Sequence, residues 1–68
     1  MNWDTIKGNW KQLTGEAKSQ WGELTDDDVK QAEGDREKLV GKIQERYGVA
    51  KDEAERQVDE FAARVDRK

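Results

Sequence analysis

The spacing of the large apolar residues constrains this chain most. Trp3, Ile6, Trp10, Leu13 and Ala17 follow one another at intervals of 3, 4, 3 and 4, and Trp21 and Leu24 extend the series. On a helix of 3.6 residues per turn such positions form one stripe. The spacing predicts a helix over residues 4–21. Asn2 or Asp4 is placed to cap its start, and Gly22 stands where a left-handed C-terminal cap is expected.

Three further stripes follow. Thr25-Asp26-Asp27-Asp28 has the form of a helix start: Thr25 caps, and three acids face the positive end of the macrodipole. Val29 and Ala32 give an apolar face and Gly34 a stop, which predicts a helix over 26–33. Asp35 caps the next, over 35–47, whose stripe is Leu39, Val40, Ile43 and Tyr47 and whose stop is Gly48. The last is expected over 51–66, with Ala54, Val58, Phe61, Ala62 and Val65 on its stripe. Asp52, Glu53 and Glu55 stand near its N-terminus and Arg64, Arg67 and Lys68 near its C-terminus, as the dipole prefers. No alternating strand pattern competes. The expectation is an all-α fold of four short helices in a single domain over residues 1–68.

The glycines carry a weak internal repeat. Gly8, Gly15 and Gly22 are seven apart, as are Gly34, Gly41 and Gly48, and the triplets are offset by 26 residues. At that offset Trp21-Gly22 aligns with Tyr47-Gly48, and Asp26-Asp27 with Asp52-Glu53. Each half reads as helix, glycine stop, short turn, acidic helix start: a helical hairpin written twice. Crossed hairpins accommodate the unequal helix lengths better than a parallel-sided bundle. Gly8 and Gly15 fall opposite the Trp3/Trp10 stripe, and Gly41 opposite Leu39/Ile43. Each costs about 1 kcal/mol relative to Ala in a helix interior.

Composition bounds the chemistry. Charged residues are 43% of the 68, and 16 large apolar residues leave a core worth roughly 3–5 kcal/mol of net stability. There is no Cys and no His, hence no disulfide, no thiolate or imidazole metal ligand and no thiol nucleophile. Asp26-Asp27-Asp28 lacks the D-x-D-x-D-G pattern of a calcium loop, and no glycine-rich phosphate loop follows a strand. A core this small is not expected to enclose the desolvated pocket that paired carboxylates need for acid–base catalysis. The expectations are therefore no enzyme activity, no catalytic residue, no cofactor and no metal. A net charge of −3 without a basic stripe argues against a nucleic-acid partner. The near neutrality of residues 1–24 argues against a membrane surface. No long apolar run suggests a leader or a membrane span, so a cytoplasmic protein is expected, as a monomer. The residues singled out are the stripe Trp3, Ile6, Trp10, Leu13, Trp21 and Leu24. It is either core or an interaction face, since Trp is favoured in both settings.

Two stretches are specific. Lys7-Gly8-x-Trp10-Lys11-Gln12-Leu13-x-Gly15 leads into Gln20-Trp21-Gly22-x-Leu24-Thr25-Asp26-Asp27-Asp28, and Leu39-Val40-Gly41-Lys42-Ile43-Gln44-Glu45-Arg46-Tyr47-Gly48 leads into Lys51-x-Glu53-Ala54-Glu55. They resemble the CsbD-like family of small bacterial stress-response proteins, and the chain closely resembles its enterobacterial member. The resemblance implies two orthogonally packed helical hairpins and an association with general stress. It implies no catalytic residue and no ligand. Family members often carry Ser or Thr where Ala50 stands, so the last helix is expected to fray or start late. Two functions compete. One is a non-enzymatic protective protein of hydrophilin character, a solvated, marginally folded chain that shields clients during water loss. The other is a regulatory module that docks a partner helix, or a second copy, through the Trp stripe.

Overall fold

A computed structural model describes residues 3–66. Asn2, Arg67 and Lys68, named above for capping and dipole roles, lie outside the described residues. Within them the chain is all-α, with five helices: α1 (Trp3–Gly8), α2 (Trp10–Gln20), α3 (Asp26–Ala32), α4 (Arg36–Tyr47) and α5 (Lys51–Asp66).

The helix expected over 4–21 is therefore two helices, broken at Asn9. Asn9 leaves helical geometry (φ −107°, ψ 11°). Its backbone N–H is shared between the Thr5 and Ile6 carbonyls at 3.2 and 3.1 Å. Its side-chain amide also donates to the Thr5 carbonyl at 3.2 Å. A short polar side chain thus competes with the helix for the same acceptor, next to a residue with no Cβ to stiffen the turn. Gly8-Asn9 is the readable signal for the break. The apolar spacing runs straight through it, because each side of the break still needs its stripe in the core.

The caps follow the sequence closely. Thr25 and Asp28 form a reciprocal capping box, each side-chain oxygen accepting the other's backbone N–H at 3.1 Å. Asp35 accepts the Lys38 N–H at 3.0 Å and starts α4, and Gly48 closes it in the left-handed region (φ 66°). Gly22 does not act this way: α2 ends on Trp21 in an extended conformation (φ −124°, ψ 85°). A tight reversal from Trp21 to Leu24, closed by the Leu24 N–H on the Trp21 carbonyl at 3.0 Å, replaces the left-handed cap. The last helix starts at Lys51 without delay despite Ala50, and the Asp52 carboxylate takes the Glu53 N–H at 3.0 Å.

Helix α2 packs on α3 and α4 on α5, which are the two hairpins, and α3–α4 and α2–α5 contacts join them. The core runs through all five helices. Ile6, Ala17, Val29, Ala32, Leu39, Ile43, Ala54, Val58 and Phe61 are essentially inaccessible. Phe61 on α5 lies between two indoles, edge-on to Trp10 at 6.4 Å and tilted against Trp21 at 5.0 Å.

Gly34 has a second task besides stopping α3. The chain passes through two left-handed residues, Glu33 (φ 55°) and Gly34 (φ 76°), and there α1 crosses it. A Cβ on Gly34 would stand 2.6 Å from the Lys7 Cα. The positive φ and the close backbone both demand glycine. Gly8, Gly15 and Gly41 are the opposite case, exposed and with nothing of the chain within 4 Å of an added Cβ. Gly34→Ala is expected to lower stability by about 2–4 kcal/mol, through left-handed strain and displacement of α1. Gly41→Ala is expected to raise it by up to about 1 kcal/mol. Urea unfolding monitored by circular dichroism measures both; equal effects of the two substitutions would contradict the packing assigned to Gly34.

Candidate functional site

The Trp stripe is for the most part core. Ile6, Trp10, Trp21 and Leu24 are buried, and Trp3 and Leu13 are partly buried against them. Both buried indoles are satisfied internally. Trp10 Nε1–H donates to the Val29 carbonyl at 2.8 Å, which pins α2 to α3. Trp21 Nε1–H donates to Gln57 Oε1 at 3.0 Å, and Gln57 Nε2 donates to Glu53 at 2.9 Å, which pins the end of α2 to α5. A docking face built on these rings would have to give up those bonds. Among the described residues only Tyr47 is a large exposed hydrophobic, and its hydroxyl oxygen accepts the Glu23 N–H at 3.1 Å.

The structure brings together what the sequence keeps 18 residues apart. Asp28 is buried at 3% exposure, the only polar or charged residue in the core among those described. Its carboxylate accepts from Arg46 Nε at 2.7 Å and Nη2 at 3.2 Å, and Lys42 Nζ lies 3.7 Å away. Lys42 also reaches Gln31 Oε1 at 2.8 Å. The C-terminal half of α4 therefore grips the α2–α3 corner, with Arg46 on Asp28 and Tyr47 on Glu23. These contacts join the two sequence stretches that carry the family resemblance. Reading Asp28 as one of three dipole-facing acids missed this role. The signal available was its spacing: it stands three residues after Thr25, where a capping box folds the side chain back over the helix start.

The Arg46 guanidinium, together with the Thr25 N–H, holds the Asp28 carboxyl at about 2, below its ordinary 3.8. A depressed folded-state pKa stabilises the fold above the ordinary value, and that stability is lost as pH falls from about 3.8 through about 2. Asp26, Glu33, Glu53 and Asp59 are lowered too, each chiefly by a side-chain hydrogen bond, so acid weakens several ties at once. Asp28→Asn is expected to lower stability at neutral pH and to flatten, without abolishing, the loss between about pH 4 and about pH 2. Thermal melts across that range test it; an acid limb as steep as in the unsubstituted protein would contradict it.

No group of three or more acidic side chains placed to hold a metal ion occurs among the described residues. An open groove of about 810 Å³ runs between α2 and α3. Its lining includes Thr14, Gly15 and several charged side chains, and Lys18 of α2 pairs with Asp26 of α3, both of which line it. It is a surface trough rather than the desolvated pocket that acid–base catalysis requires.

Comparison with known proteins places this architecture. The CsbD-like family model matches residues 4–56, most of the chain. The chain belongs to the CsbD-like family. Relatives that cover nearly its full length agree. It is 58% identical over 65 residues to the UPF0337 protein PA4738 of Pseudomonas aeruginosa, covering 96% of this chain and all of that one. It is 58% identical over 64 residues to the UPF0337 protein YjbJ of Escherichia coli K12, covering 94% and 93%. With a UPF0337 protein of Bordetella pertussis it shares 59% over 61 residues, covering 90% and 92%. The CsbD-like match ends inside α5, whereas Phe61 and Val65 beyond it complete the core. None of these relatives' names states an activity. No helix among the described residues is long and apolar enough to cross a membrane.

Proposed function

We propose that this CsbD-like chain is a non-enzymatic, cytoplasmic stress-response protein that acts as a monomer and protects other macromolecules through its hydrated surface. One observation carries the reading. A chain that is 43% charged folds with its apolar residues inside, leaving Tyr47 as the one large exposed hydrophobic among the described residues. Much of the outer charge is held in exposed pairs, such as Arg36 with Asp59, Lys38 with Glu33 and Lys18 with Asp26. Exposed pairs of this kind contribute little stability each. Their effect is a surface of both signs that binds water and resists self-association. During water loss such a body separates client molecules and lends them polar contacts.

This differs from the hydrophilin picture of a marginally folded chain, because capped helices and a continuous core support a folded protectant. Docking through the Trp stripe is not adopted, since Trp10 and Trp21 are buried and hydrogen-bonded. A labile enzyme dried with this protein is expected to recover more activity than with an equal mass of an inert globular protein. Gly34→Ala, which loosens the fold but leaves the surface charge intact, is expected to protect less at temperatures where it unfolds. Equal recovery with the inert protein would count against protection.

A further inference from the structure

The first helix is tied to the molecule differently from the other four. At six residues, α1 is far shorter than the roughly 12–15 that an isolated helix needs in water, so it persists only while it is docked. The break at Asn9 also separates it from its neighbour. The Asn9 carbonyl accepts the Gln12 and Leu13 N–H groups at 2.9 and 3.1 Å, so the ladder of α2 starts afresh there. Melting of residues 3–8 therefore need not spread into α2.

Little apolar surface fastens α1. Ile6 is its one buried residue, and Trp3 is partly buried. At Lys7 it crosses Gly34, backbone against backbone. The contacts that carry the rest of the core lie within α2–α5: Phe61 against Trp10 and Trp21, the Trp10 indole on Val29, the Trp21 indole on Gln57, and Arg46 on Asp28. Release of residues 3–8 breaks none of these. Solvent already reaches one side of α1. Thr5 and Ile6 form one wall of an open crevice of about 380 Å³, whose lining also includes Leu13 of α2 and Val65 of α5. With that wall in place Val65 is buried and Leu13 partly buried. Without it both side chains face water.

We propose that α1 is a releasable strap: residues 3–8 leave the Gly34 crossing as a unit while α2–α5 stay folded, and the release bares an apolar face at Leu13 and Val65. The molecule thereby has two surfaces, hydrated throughout when the strap is down and apolar at one end when it is up. The release is a property of the packing and does not rest on the protective reading.

Hydrogen exchange of the ¹⁵N-labelled full chain under native conditions, in rising sub-denaturing urea, tests the release. The amides of Lys7, Gly8 and Asn9 are expected to open together, with an opening constant at least about tenfold larger than that of the Val58 and Phe61 amides. Their opening is expected to depend little on urea, because it exposes little surface. Exchange of the α1 amides only through global unfolding overturns the proposal, as does protection that rises step by step from Lys7 to Asn9, the mark of end fraying. Ile6→Asp imposes the open form, since an unpaired carboxylate cannot be buried in that seat. With the open form available, this substitution can lower stability by no more than the free energy of opening. The helical shifts of α2–α5 and the indole resonances of Trp10 and Trp21 are therefore expected to persist, while the amides from Lys7 to Asn9 move to coil values. Loss of the whole fold in Ile6→Asp overturns the strap. The uncharged dye Nile red is expected to fluoresce at least about threefold more with Ile6→Asp than with the unsubstituted chain, as apolar surface becomes accessible. Equal fluorescence overturns the apolar face.

Discussion

Phe61 stands edge-on to Trp10 and tilted against Trp21, and most of the fold is arranged around that contact. A chain with so few large apolar side chains has to bury them where each touches several others. One phenyl ring from α5 meets two indoles from opposite ends of α2, so a single side chain touches both ends of that helix. Each indole then spends its one N–H on a different neighbour, Trp10 on the Val29 carbonyl in α3 and Trp21 on Gln57 in α5. Dispersion, aromatic geometry and two directed hydrogen bonds thus coincide on three residues. That leaves little freedom for the helices to rotate about their axes.

Around this apolar centre the corners are held by polar contacts of high specificity. Asp28 performs three jobs with one carboxylate: it closes the capping box of α3, receives the Arg46 guanidinium and lies near Lys42. Buried charge is tolerated there because both carboxylate oxygens are engaged. Gly34 performs the complementary steric job, letting the α1 backbone approach closer than any side chain allows. The surface is built on the other principle, with many exposed ion pairs of small individual worth. The result is a small body with a densely tied interior and a hydrated exterior.

Much of the fold was legible because its signals are local. The 3–4 spacing located the helical segments, Thr25 and Asp35 marked starts, and Gly34 and Gly48 marked stops. The break at Asn9 was written in Gly8-Asn9 but hidden, since the apolar stripe continues on both sides of it. Gly22 misled for the opposite reason: a glycine in a stop position need not be left-handed when a neighbouring turn already satisfies the helix end. The tryptophans could be read as core or as interface from spacing alone. Choosing between these needs knowledge of what faces them. The groups that take their N–H bonds lie 19 residues on from Trp10, at Val29, and 36 on from Trp21, at Gln57.

Residue identity and neighbours within a turn or two were enough to set the all-α class, the starts of the last three helices, the absence of Cys and His chemistry and the family. It took the packing of the helices to establish that Trp10 and Trp21 are interior, that Asp28 pairs with Arg46, and that Gly34 makes room for Lys7. Packing also separated the glycines, which look alike in two evenly spaced triplets. Gly34 is held by a crossing backbone, Gly48 by its left-handed turn, and Gly15 borders open space between two helices. A residue's conformational allowance is a local property, but what occupies the space beside it is set by segments distant in sequence.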